Sequence, residues 1–201
     1  MKFFYVLFVK ENIRTIGIDD AAFDRNESTK AFVFGVVVRG YSLVEGILRT
    51  EVQIDGMDAT DRIVSMINKS KFNDQLRAIF LRSSTIAAFN IIDMKTLSIE
   101  TSIPVITILS EVPVESDVKQ AIENLPDWKF RLNVLKNNPE IEKISFTNKE
   151  GRKCKGLIQQ VGLDSIKETK NLLELSCFSS CLPEGLRLAD KIGQSFKGFT
   201  F

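Results

Sequence analysis

The sequence predicts a mixed α/β fold: a sheet opening with three antiparallel strands and continuing with parallel ones, with helices on both faces. Two observations carry this. Three β-type runs follow one another with no helical pattern between them, and from Asp58 onward helix-like and strand-like segments alternate. Residues 13–19 (IRTIGID) form a short β-type run. Residues 31–39 (AFVFGVVVR) are almost continuously apolar, the pattern of a strand covered on both faces. In residues 44–54 the alternation is cleaner: Val44, Leu48, Val52 and Ile54 share one parity and Glu45, Arg49, Glu51 and Gln53 the other, a half-solvated strand near a sheet edge. Charged and glycine-bearing links between these runs suit a meander.

Residues 58–69 place Ile63, Val64 and Ile67 on one stripe behind Asp58, an N-cap with Asp61 three residues later as an acidic capping-box analogue, so a helix follows the meander. Residues 76–81 read as a strand, 91–101 as a helix and 104–109 (PVITIL) as a buried parallel-type strand. The right-handed crossover rule then sets the later strands beside the first. Segments 115–124 and 127–137 read as helices, 141–146 and 153–161 as a hairpin, 164–175 as a helix, and a last helix starts at Pro183 and runs to about residue 196. At 201 residues with 44% hydrophobic and 26% charged side chains, the chain fits one domain, residues 1–201, with a helical and hairpin insertion at about 113–162 on the substrate or dimer side.

Composition excludes several chemistries. There is no histidine, which removes Ser-His-Asp and Cys-His catalysis and zinc sites needing imidazole. Twenty-seven basic against 26 acidic residues leave a formal charge of +1, so no whole-protein field draws in a polyanion, although a local basic patch remains open. The three cysteines, Cys154, Cys177 and Cys181, form no C-x-x-C pair and read as thiols packed as small hydrophobes in a reducing interior. The apolar opening, residues 1–9, is too short to span a bilayer and reads as a buried strand or its lead-in. A soluble, cytoplasmic protein without membrane contact is expected.

Carboxylates supply the remaining chemistry. Metal-dependent phosphodiester cleavage needs two or more of them converging from different elements, because hard divalent ions take oxygen ligands and keep positions open for phosphate and water. Asp19 and Asp20 end the first strand, where open sheets bind ligands. Asp55 and Asp58 lie in IDGMDAT, Asp93 in FNIID, and Asp190 on the final helix. Each has a plainer reading: a strand-ending polar pair for Asp19 and Asp20, a turn with Gly56 for Asp55, helix caps for Asp58 and Asp93, and pairing with Arg187 or Lys191 for Asp190.

Eight stretches taken together, IRTIGIDDAAF (13–23), GVVVRG (35–40), VEGIL (44–48), VQIDGMDATDRI (52–63), KFNDQLRAIFL (71–81), TIAAFNIIDM (85–94), TSIPVITI (101–108) and LPEGLRLAD (182–190), resemble the archaeal endonuclease dU family, related in fold to endonuclease V within the ribonuclease H-like group. The resemblance implies a ribonuclease H-like mixed sheet, a Mg²⁺ or Mn²⁺ site and cleavage of DNA near deoxyuridine, the product of cytosine deamination. It makes Asp19 the first-strand metal ligand and catalytic residue and Asp58, or Asp55, the acid at the start of the first helix. A third acid is expected after the strand 76–81, where this chain has Leu81-Arg82-Ser83. A guanidinium beside Asp19 would repel a cation and offer a salt bridge, leaving Asp20, Asp93 or Asp190 to supply the missing ligand.

The leading expectation is therefore a divalent-metal-dependent endonuclease acting on uracil-containing or otherwise deaminated DNA, with Arg39, Lys69, Lys71 and Arg82 toward the backbone. Phe23, Tyr41 and Phe89 are candidate walls for an unstacked base. The alternative is a catalytically degenerate ribonuclease H-like module that binds nucleic acid or a protein partner. A small-molecule phosphate enzyme ranks third, since no glycine-rich phosphate loop is present. The edge-type strand 44–54 leaves room for a homodimer.

Overall fold

The computed structural model describes residues 12–197, so the expected strand in residues 1–9 lies outside the described residues. The three predicted antiparallel strands are β1 (Arg14–Asp20), β2 (Lys30–Arg39) and β3 (Leu43–Gln53). Helix α1 (Ala59–Asn68) follows, then β4 (Leu76–Leu81), a two-stranded ribbon of β5 (Thr85–Ile86) and β6 (Asn90–Ile91), helix α2 (Met94–Thr101) and β7 (Val105–Leu109). Helices α3 (Glu115–Glu123) and α4 (Trp128–Asn137), strands β8 (Glu142–Thr147) and β9 (Lys153–Val161), and helices α5 (Ile166–Ser176) and α6 (Glu184–Gln194) complete the order.

Among the described residues the sheet has seven strands, in the order β3-β2-β1-β4-β7-β9-β8. Strand β1 pairs antiparallel with β2 and parallel with β4, and β4 pairs parallel with β7, as the crossover argument requires. The hairpin β8–β9 is the far margin of this same sheet, because β9 pairs with β7. At the other margin β3 is half-solvated, and a register shift opposite Val37 and Val38 leaves Leu43, Val44 and Ile47 exposed.

Two layers of side chains sandwich the sheet. Ile16, Ile18, Val33, Val37, Ile79 and Leu81 pack toward α1 and α2, while Phe80, Ile106 and Ile158 pack toward α5 and α6. Among the described residues no helix is long and apolar enough to cross a membrane.

Three local readings change. The helix expected over 91–101 begins only at Met94, because Asn90 and Ile91 pair with β5, and Asp93 caps α2 by accepting from the N–H groups of Lys95 and Thr96. Asp58 occupies the N-cap position of α1 but makes no side-chain cap; the Asn90 carboxamide oxygen accepts from Ala59 N–H (3.0 Å) in its place. Cys154 and Cys181 form a disulfide instead of packing as free thiols; only Cys177 is free and buried, and burial pushes its thiol far up. The β8–β9 turn explains the pairing. Asn148 Nδ2 and Lys149 N–H donate to the carbonyls of Ser180 and Cys177, which draws the loop before α6 onto the start of β9.

Candidate active site

The carboxyl end of β1 gathers the most unusual electrostatics of the described residues. Asp19 and Asp20 end a strand whose core residues are apolar, and their half-buried carboxylates interact with each other. The ladder sets Asp19 level with Phe34 and Asp20 level with Val33. Asp20 Oδ2 accepts from Ala87 N–H (2.8 Å), and Asp19 Oδ1 from Asp20 N–H (3.1 Å). Neither carboxylate forms an ion pair with a described residue. Burial, then the charge of Asp20, pushes Asp19 up to about 7, and Asp190 adds to the rise; burial also raises Asp20.

Asp190 reaches this point because α6 lies directly on β1. A Cβ built on Gly17 would come within 1.9 Å of the Leu186 backbone nitrogen, and one on Gly193 within 2.2 Å of the Asp20 carbonyl oxygen, so only glycine permits this approach. Ala22 N–H also donates to the Gly193 carbonyl (3.1 Å). Asp190 itself accepts from Gln194 Nε2 (2.7 Å) and lies 3.6 Å from Lys191 Nζ.

The other candidate acids serve the neighbouring loops. Asp58 accepts from Gln53 N–H (3.1 Å), Asn90 Nδ2 (2.7 Å) and Arg62 Nε (3.4 Å). Asp55, at φ 54°, accepts from Phe89 N–H (3.0 Å) and faces Arg25 at 3.8 Å. Both Asp93 oxygens are taken by the start of α2, Oδ1 by the two amides and Oδ2 by the Thr96 hydroxyl (2.9 Å). Thus Asp19, Asp20 and Asp190 come together, whereas Asp55, Asp58 and Asp93 are each engaged in local hydrogen bonding.

Ala87 and Ala88 take φ of 45° and 69°, a conformation that costs an L-residue on the order of 1 kcal/mol or more and persists only where surroundings hold it. Arg131 of α4, unmarked in the sequence reading, supplies much of that hold. It is 4% exposed and donates to four backbone carbonyls: Pro126 and Gly56 (3.0 and 2.8 Å), Phe89 (2.8 Å) and Asp55 (2.6 Å). The signal in the sequence was its position on the inward stripe of α4 with Val134.

Arg82 follows Leu81, which pairs with Ile18, so it lies level with Asp19; yet it forms no ion pair with Asp19 or any other described residue. The expected salt bridge is not made. Of the remaining DNA candidates, Arg39 pairs with Glu45 (3.0 Å) at the opposite end of β1, about 17 Å away at ~3.3 Å per residue. Tyr41 is stacked on Phe178 (5.2 Å between ring centres), Lys71 lies over Phe72, and Phe89 packs in a small cluster with Ile91, Ile122 and Val134. Lys69 lines a groove between β3 and α1 with Arg49 and Arg62. Phe23 alone of the three aromatics lines the cleft of about 300 Å³ that adjoins the carboxylates, with Ala21, Ala22, Ser28, Thr29 and Phe32.

Residues 11–197 match the family model described as Endonuclease dU. The chain belongs to this family. A UPF0215 protein of Methanosarcina barkeri is 38% identical over 184 residues, covering 92% of this chain and 90% of that one, and one of Methanopyrus kandleri is 35% identical, covering 90% and 89%. A crystal structure of a protein of unknown function from Archaeoglobus fulgidus superposes with TM-score 0.79 at 33% identity, covering 92% of this chain and 98% of that one. Endonuclease V of Ciona intestinalis, in complex with DNA containing an inosine followed by a ribo-adenosine, superposes with TM-score 0.54 at 12% identity, covering 90% and 84%. The fold is therefore ribonuclease H-like, and family membership supports a nuclease-type function.

Proposed function

We propose that this protein is a divalent-metal-dependent endonuclease that cuts DNA at deoxyuridine or another deaminated base, in the cytoplasm, as part of DNA repair. The observation that carries the reading is the Asp19–Asp20 pair: two half-buried carboxylates at the end of β1, with Asp190 nearby and no ion pair to a cation among the described residues.

The donor chemistry fits Mg²⁺ or Mn²⁺. Among the described residues no three or more acidic or soft ligands form a ready cage. That suits an ion held by one or two carboxylates and completed by waters and substrate phosphate, which is how Mg²⁺ is usually bound. Asp19 and Asp20 would hold it, with the Asp190 charge nearby adding to the negative field. When bound, such an ion supplies Lewis acidity toward a phosphodiester oxygen. Asp19 must give up its proton to serve, so its raised pKa ties occupancy to neutral and higher pH. Arg82, level with Asp19 and without a carboxylate partner among the described residues, offers its guanidinium to a phosphate oxygen. Phe23 and the cleft beside it give an unstacked base an apolar wall. Asp55, Asp58 and Asp93 fix the loops that hold Asp20.

The test is nicking of a labelled oligonucleotide with one deoxyuridine, with and without Mn²⁺, by wild type, Asp19→Ala and Arg82→Asp. Metal-dependent cutting lost in Asp19→Ala and weakened in Arg82→Asp is the expected result. Silence in wild type with activity in Arg82→Asp would overturn it in favour of a degenerate binding module.

A further inference from the structure

We propose that the outer face of α4 is a second nucleic-acid contact surface, gripping the DNA strand beside the cleavage site; the inference rests on the nuclease reading above. Helix α4 (WKFRLNVLKN) contains no acidic residue. Its inner face carries Arg131 and Val134, whereas Lys129, Phe130, Asn133, Lys136 and Asn137 are all exposed. At 100° per residue these five lie within one continuous sector of the helix. Phe130 is 58% exposed among cations and carboxamides, and Lys129 lies over the ring of Trp128 (5.4 Å). Cations for phosphates, carboxamides for polar edges and an uncovered ring for a sugar or base face make up a surface complementary to a polyanionic strand. The same face is a poor match for an acidic peptide pocket, since it is convex and its two lysines are seven residues apart. That spacing is about 10 Å along the helix, or roughly three nucleotides of one strand at 3.4 Å each.

This face is tied to the carboxylates by an unbroken chain of hydrogen bonds. Arg131 Nη2 donates to the Asp55 carbonyl (2.6 Å), Asp55 N–H to the Ala87 carbonyl (3.0 Å), and Ala87 N–H to Asp20 Oδ2 (2.8 Å). Two turns further on, Asn138 accepts from Met94 N–H (3.0 Å) and donates to the Ile92 carbonyl (2.9 Å). A strand held on α4 is thereby held in fixed register with Asp20. The arrangement gives the segment that looked like an insertion a purpose: positioning substrate.

The experiment measures fluorescence anisotropy of a labelled duplex with one deoxyuridine across a salt series, with nicking rates in parallel. Three variants are compared with wild type: Lys129→Ala/Lys136→Ala, Phe130→Ala, and, as a control on the far side of the molecule, Lys170→Ala. The double variant should bind several-fold more weakly, with its log–log salt slope flattened by about 1.8, two phosphate contacts at ~0.9 each. Phe130→Ala should weaken binding roughly fivefold or more with the slope unchanged, as a stacking contact does. In both variants KM rises while kcat at saturating DNA holds, and Lys170→Ala matches wild type. If wild type binds and nicks but the double variant keeps its affinity and slope, the α4 surface is refuted while the nuclease reading stands. If wild type neither binds nor nicks, both fall. A change in sedimenting mass without a change in slope would make α4 a contact between copies and likewise refute the proposal.

Discussion

The two ends of β1 carry carboxylates in opposite circumstances. At the amino end, Glu45 sits between Arg14 and Arg39; its hydrogen bond with Arg14 holds its carboxyl below the usual range. At the carboxyl end, Asp19 and Asp20 lie against each other with no ion pair to a described residue, Asp190 nearby is paired with Lys191, and Asp19 is raised to about 7. One end is neutralised by the fold. The other keeps two carboxylates that no described cation pairs with, the arrangement expected where a strand end is committed to chemistry.

Substitutions at the two ends should therefore part company. The largest expected effect is on nicking: Asp19→Ala should lower the rate by about 10³-fold, the scale of a lost stabiliser at a reacting charge, while Glu45→Gln leaves it near wild type in the same assay. A nicking loss in both would break the contrast. Next comes Gly17→Ala, which forces α6 off β1; a destabilisation of about 3 kcal/mol or more, read from urea midpoints, is expected, and Asp190 moves away with the helix.

The pH dependence sharpens the contrast further. Folded Asp19 holds its proton to about pH 7 and unfolded Asp19 only to about 3.8, so between these values the native state binds more protons. Stability from this group is present at the acid end and lost as pH rises toward 7. Asp19→Asn should remove that decline, giving a protein more resistant to urea than wild type at pH 7.5 and little different at pH 4.5. Divalent metal should likewise raise the melting temperature of wild type more at pH 8 than at pH 6, and not at all in Asp19→Ala. Glu45 has the opposite sign: its lowered carboxyl contributes stability above the ordinary glutamate range that fades as pH falls, a small effect at a solvated pair, measurable as a convergence of Glu45→Gln and wild type in acid.

Much of the scaffold was legible because side-chain period is a local property. The runs at 31–39 and 76–81 name their strands by apolar continuity, and the meander followed by alternating elements left few topologies. Asp19 and Asp20 stood out because adjacent acids after an apolar strand are costly without a purpose. Asp190 was named but its place was not, since the contact of Gly17 and Gly193 with their opposite backbones joins residues about 170 apart and leaves no periodic trace. Arg131 was hidden for a related reason: its partners are main-chain carbonyls, which every residue has. The Cys154–Cys181 bond was misread because spacing carries no information about pairing set by a distant loop. The ribbon at Asn90 and Ile91 was absorbed into a helix, since two-residue strands are too short to display alternation.

The glycine contact between α6 and β1 also has a consequence in time. A ribosome makes β1 well before α6, so the carboxylate cluster is closed by the first and the last of the described elements. Until the segment around residue 190 has emerged, the nascent chain can build most of its sheet yet lacks the helix that shields Asp19. Chains abandoned midway therefore never bring Asp190 to the end of β1.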